Sequence, residues 1–135
     1  MNTRLNKRYS QINKTMEKRL KAFVSTTNPA VAKQFYQDVL ELELLEEDDF
    51  GLEFDANGTR LRISIVQQLT AQPFTVLGWE VHDIKMAIAT LNAKGILFER
   101  YAFLQQDPLG IWTAPGGKKV GWFKDPDGNI LSFSE

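Results

Sequence analysis

Apolar and polar positions follow two rhythms along this chain, and the rhythms change over in the same order twice. Leu20–Thr27 reads as a short strand. Asn28-Pro29 then supplies a helix start, because Asn accepts from free first-turn amides and proline is pre-set for the first helical position. Ala32, Phe35, Tyr36 and Val39 follow at the spacing of a helix with one buried face. Beyond it Glu41–Glu46 reads as extended, and Asn57-Gly58 marks a hairpin leading into a strand from Thr59 to Val66. The second pass opens with a strand Phe74–Val81, a helix start at Asp83, apolar Ile84, Ala87, Ile88 and Leu91, and a stop at Gly95. An extended run Ile96–Tyr101, a turn at Gly116-Gly117, a strand Lys118–Lys124 and a last strand Asn129–Phe133 complete it.

The helix starts lie 55 positions apart and the turn glycines Gly58 and Gly117 lie 59 apart, so the second pass carries extra length in "LQQDPLGIW". The pattern predicts an α+β fold of two β-α-β-β-β modules, about 20–68 and 74–135. Together they make one domain, 20–135, behind a basic extension, 1–19. Strand alternation turns Leu61, Ile63 and Ile65 toward the helices and leaves Arg60, Arg62, Ser64 and Val66 on the opposite face. The acidic run Glu46–Asp49 is expected to be a solvated turn.

Composition narrows the classes. The 135 residues contain no Cys, which excludes disulfides, thiolate nucleophiles and Cys-held metals. No apolar run has the length of a membrane span, and the first residues lack the apolar core of a signal peptide. These features point to a soluble cytoplasmic protein. The net charge of −1 hides an asymmetry: seven bases and one acid up to Lys21, nine bases and sixteen acids after it. An acidic body does not suit a nucleic-acid-binding face.

Three stretches then resemble landmarks of one family: "FYQDVLELEL" after Asn28-Pro29, "EVHDIKMAIATLNAKGI", and "GWFKDPDGNILSF". They are similar to the vicinal-oxygen-chelate superfamily of glyoxalase I, extradiol dioxygenases, fosfomycin-resistance and bleomycin-binding proteins. The resemblance spans residues 20–135. It implies paired modules in curved incomplete barrels, commonly a homodimer, with a small-molecule or metal site on the concave face. It also implies a divalent metal held by His, Gln or Glu from four strands, two from each module. Those positions fall at Lys21, Val76 and Ser132, with Gln67 or Gln68 the only donors in reach for the fourth. Lys21 is a poor ligand, Val76 is none, and Ser132 replaces a carboxylate, so no metal or other cofactor is expected. A calcium loop in Asp125–Asn129 is excluded because its glycine, Gly128, stands fourth where an EF-hand needs it sixth. That stretch reads as a turn.

With the ligand positions inward, the concave face should carry Ser25, Arg62, Ser64, Glu80, Trp122 and Ser132, a hydroxyl-lined and partly aromatic pocket for a small organic ligand. Trp79 and Trp112 are further stacking candidates. Arg62 either recognises an anionic group or pairs with Glu80. The favoured function is metal-independent binding of a small molecule, with no nucleic-acid or membrane partner. The alternative is a lyase, isomerase or dioxygenase using a displaced metal, or acid–base chemistry through catalytic Glu80. His82, beside Asp83, is a weaker candidate, and a module without any ligand is the third possibility.

Overall fold

The computed structural model describes residues 17–135; most of the basic extension therefore lies outside the described residues. Module one runs β1 (Lys21–Thr26), α1 (Pro29–Gln34) with a π-helical turn Phe35–Val39, β2 (Glu43–Asp48), β3 (Gly51–Ala56) and β4 (Thr59–Ile65). Module two runs β5 (Thr75–Glu80), α2 (Ile84–Ala93), β6 (Trp112–Thr113), β7 (Lys119–Lys124) and β8 (Ile130–Ser134). Each forms a four-stranded open sheet of the same topology, β1-β4-β3-β2 and β5-β8-β7-β6, with the first and last strands parallel. β1 lies against β5, so the two sheets meet along their first strands.

The helix starts behave as the sequence chemistry dictates. Asn28 accepts from Val31 N–H with Pro29 in the first turn, and Asp83 accepts from Met86 N–H. Tyr36, Phe54, Leu61, Ile63, Ile84, Ile88, Phe123 and Leu131 are fully buried between sheets and helices. Truncating one such aromatic costs about 3–5 kcal/mol, well above the ~0–1 kcal/mol of an exposed ion pair, so this core is what holds the fold.

Three expectations need correction. Glu46–Asp48 are the end of β2, not a turn; the turn is Asp49-Phe50, with Asp48 Oδ1 accepting from Phe50 and Gly51 N–H. β2 is an edge strand, where charged side chains guard against strand addition, and that is why its composition reads as loop. Ile96–Tyr101 is not a strand; it makes one ladder-like bond, Glu99 N–H to Trp122 O, and the third-from-last strand is Trp112–Thr113. The repeat also aligns differently. The two-residue turn Asn57-Gly58 joins β3 to β4, and its counterpart is the turn between β7 and β8, ending at Gly128-Asn129. Gly58 and Gly128 are 70 positions apart against 55 for the helix caps. Most of the surplus lies in the 94–111 loop between α2 and β6, where α1 and its π turn are followed by only 40–42.

The β7–β8 turn fastens the modules together. Asp125, 5% exposed, accepts from Tyr36 Oη (2.8 Å), Asp127 N (3.0 Å), Asn129 N (2.9 Å) and Asn129 Nδ2 (2.8 Å). Asn129 Nδ2 also donates to Ser25 O, and Asp127 accepts from Thr26 Oγ1, Thr27 N and Thr27 Oγ1. Tyr36→Phe should therefore cost about 1–3 kcal/mol in urea unfolding, since it strips one donor from a buried carboxylate without changing the packing. Burial pushes the Asp125 carboxyl up from the usual aspartate range, while the Asn129 and Tyr36 donors pull it down. A carboxyl raised on folding stabilises fully below its unfolded value, and that contribution is lost as pH rises through the folded value. Asp125→Asn should remove this gain on the acid side of the stability–pH curve; an unchanged curve contradicts the assignment.

Candidate functional site

The face turned away from the helices is the concave face, and the two modules furnish it differently. In module one, register pairs Lys21 with Arg60, Phe23 with Arg62 and Ser25 with Ser64, while β3 sets Glu53 opposite Arg62. Glu53 is 6% exposed and bridges Lys21 Nζ (2.6 Å) and Arg60 Nη1 (2.8 Å). Lys21, and after it Arg60, hold the Glu53 carboxyl below its usual range against the opposing effect of burial. Arg62 reaches the other way, its Nη2 3.0 and 3.1 Å from the two Asp48 oxygens. It can cross β3 there because Gly51 has no Cβ to meet the guanidinium. The Arg62 hydrogen bond holds Asp48 below the carboxylate range, and Asp48 in turn keeps Arg62 charged. This half of the face is a lattice of ion pairs.

In module two the same face is aromatic. Register places Gly78 beside Ser132 and Ser132 beside Trp122. Gly78 leaves the floor flat, since a Cβ there would collide with Ser132 Oγ. A register shift between Thr75 and Leu77 makes Val76 a bulge residue and brings Thr75 opposite Ile130. Trp122 Nε1 donates to Thr75 Oγ1 at 3.1 Å. The 94–111 loop adds Tyr101, edge-on to Trp122 with centroids 5.6 Å apart, and Phe103 against Tyr101, also at 5.6 Å. The Trp112 ring is tilted against Trp122, with centroids 6.1 Å apart. A groove of about 260 Å³ is lined by the rings of Trp122, Tyr101, Phe103 and Phe74.

The sequence-predicted residues are thus partly assembled. Ser25 and Ser64 are register partners in one module, and Ser132 and Trp122 in the other. Arg62 does not pair with Glu80. Glu80 is a largely exposed carboxylate near the end of β5, 3.6 Å from Lys118 Nζ, because β5 places it beyond the groove. The fourth family position also moves: Phe23 pairs with Arg62 as Gly78 pairs with Ser132, so the module-one counterpart of Ser132 is Arg62, and Gln67 and Gln68 lie past the end of β4. Lys21, Arg62, Val76 and Ser132 do not form a donor set for a divalent ion: two are cations, one has no donor atom, and one is a neutral hydroxyl. Among the described residues no three His, Cys, Asp or Glu side chains cluster as metal ligands. Thr75, Tyr101 and Phe103 were not anticipated. A bulge and an irregular loop leave no periodic signal, although the surplus length of the second pass was visible.

A second groove, about 330 Å³, lies between the modules beside α2, lined by Leu40, Asn57, Trp79, Val81 and Leu91 among others. It occurs where the two-residue β3–β4 turn is too short to fill the place that the five-residue turn 125–129 fills opposite. Among the described residues no helix is long and apolar enough to cross a membrane.

Because Glu53 titrates below the usual range when folded, its ion pairs stabilise above its unfolded value, and that contribution is lost as pH falls through the folded one. Glu53→Gln should melt below the parent at neutral pH, with the gap closing toward acid. A gap that stays constant with pH would mean the lattice contributes through packing alone.

The model of the Glyoxalase/Bleomycin resistance protein/Dioxygenase superfamily matches residues 12–133. Among solved structures the chain is similar to a lactoylglutathione lyase from Agrobacterium tumefaciens, at 16% identity and TM-score 0.69 over 87% of this chain and 92% of that one. It is also similar to a glyoxalase family protein from Enterococcus faecalis, at 29% identity and TM-score 0.64 over 87% of this chain and 94% of that one. A glyoxalase/bleomycin resistance protein/dioxygenase from Alicyclobacillus acidocaldarius aligns at 17% identity and TM-score 0.62, over 87% and 89%. No curated protein matches the chain. The fold, the landmarks and the family match over nearly the whole chain agree: this chain belongs to the Glyoxalase/Bleomycin resistance protein/Dioxygenase superfamily.

Proposed function

We propose that the protein binds a small organic molecule on its concave face and does so without a metal ion. One observation carries this reading. At the positions from which the family resemblance would draw metal ligands, module one has Lys21 and Arg62, and both are already engaged by carboxylates. A divalent ion placed among them would meet two positive charges and no replacement donor from Val76 or Ser132. The groove around Trp122, with Phe74, Tyr101, Phe103 and Ile130 beside the Thr75 hydroxyl, offers mostly apolar contact with few polar groups, the usual make-up of a ligand site, and Ser132 is the register partner of Trp122. Acid–base chemistry through Glu80 would have to work from the lining of the second groove, where the carboxylate is largely exposed and sits beside Lys118.

The test is metal content of the purified protein by mass spectrometry, together with melting curves after addition of Zn²⁺, Ni²⁺, Mn²⁺ or Fe²⁺. An ion that binds only the folded state adds about 2.7 kcal/mol of stability at a hundredfold excess over its dissociation constant. The expected result is no near-stoichiometric metal and no upward shift. Stoichiometric metal with a raised melting point would overturn the reading and restore the enzyme alternative.

A further inference from the structure

We infer that the ligand's binding determinant is the groove built by the 94–111 loop, and that this groove takes a flat aromatic ring system carrying no negative charge. The inference rests on the reading that the concave face binds a small organic molecule, and it names the class. Two of the groove's rings are held in place by contacts. Trp122 is fixed at its indole nitrogen by Thr75, and Tyr101 stands nearly perpendicular to it, at 79°. Phe103 extends the wall while remaining 82% exposed, and Phe74, 58% exposed, stands across the groove. Two large apolar rings facing water across a slot gain by covering each other's open surface with a third.

The loop that presents Tyr101 and Phe103 is fastened internally. Gln106 accepts from Tyr101 N and donates to Glu99 O and Gly110 O, and Arg100 donates to the carbonyls of Asp107 and Pro108. Walls ordered before the ligand arrives lose little freedom on binding. About 260 Å³ is just under the usual range for ligand pockets, which suits two or three fused rings. Among the described residues no charged side chain lines the groove, and the nearby Lys124 and Glu99 are paired with each other at 3.2 Å. An anion entering it would give up its hydration without a partner. Module one has no counterpart to this loop, and its half of the face is filled by ion pairs.

The experiment is calorimetric titration of the whole protein, in the presence of a chelator, with naphthol, with its saturated counterpart decalol, and with naphthoate. Naphthol should bind saturably, with decalol and naphthoate weaker by roughly tenfold or more, the contribution of ring stacking and of an unpaired charge. Phe74→Ala and Phe103→Ala, both at exposed positions and checked for an unchanged circular dichroism spectrum, should each weaken naphthol several-fold. Equal affinity for decalol, a naphthol affinity untouched by both variants, or no saturable naphthol binding would each overturn the inference. Untouched affinity together with amide shifts at Ser25 and Ser132 would do so while leaving concave-face binding intact. Naphthol binding that appears only on adding a divalent metal would overturn the metal-free reading instead.

Discussion

The Asp125 carboxylate is the constraint on which the arrangement depends. It is buried where module two meets module one, and a buried carboxylate is tolerated only if donors surround it. They come from its own turn, through Asp127 and Asn129, and from Tyr36 of the other module. The same turn reaches the end of β1 through Asp127 and Asn129. Position 125 thereby sets β1 against β5 within one chain, and the concave face exists because those two strands meet. The opposite corner lacks this device: its turn is two residues long and leaves a groove instead of a clamp.

Once the sheets are docked, the face needs something to order its strands. In the metal-bearing pattern an ion would tie four strands together. Here Glu53 ties β3 to β1 and β4, and Asp48 ties β2 to β4. Such pairs add little to stability where they are exposed. Their effect is geometric: they hold long cationic side chains across the floor of module one, where a ligand would otherwise lie. The open volume on this face is displaced toward module two, whose extra loop adds Tyr101 and Phe103 to the rings of Trp122 and Phe74 around it.

Much of this was legible in the sequence. The helix caps, the helical periodicity, the Asn57-Gly58 hairpin and the turn at Asp125–Asn129 all rest on local chemistry, and all appear where that chemistry puts them. What was not legible depends on partners distant in sequence. The acidic end of β2 reads as loop because an edge strand needs charge. Gly117 resembled the repeat of Gly58 because glycine turns look alike until strand pairing tells them apart. The error carried into the site, hiding Arg62 as the counterpart of Ser132. Asp125–Asn129 reads locally as a turn, and the role of Asp125 and Asp127 between modules follows only from Thr26, Thr27 and Tyr36, about 90 to 100 positions away.

The most direct test of the account is a crystal structure of the protein grown with zinc or nickel present, with anomalous scattering measured at the metal edge. The account predicts no anomalous peak among Lys21, Arg62, Val76 and Ser132, with Lys21 still on Glu53 and Arg62 still on Asp48. A peak there, with the two cations swung aside, would contradict it.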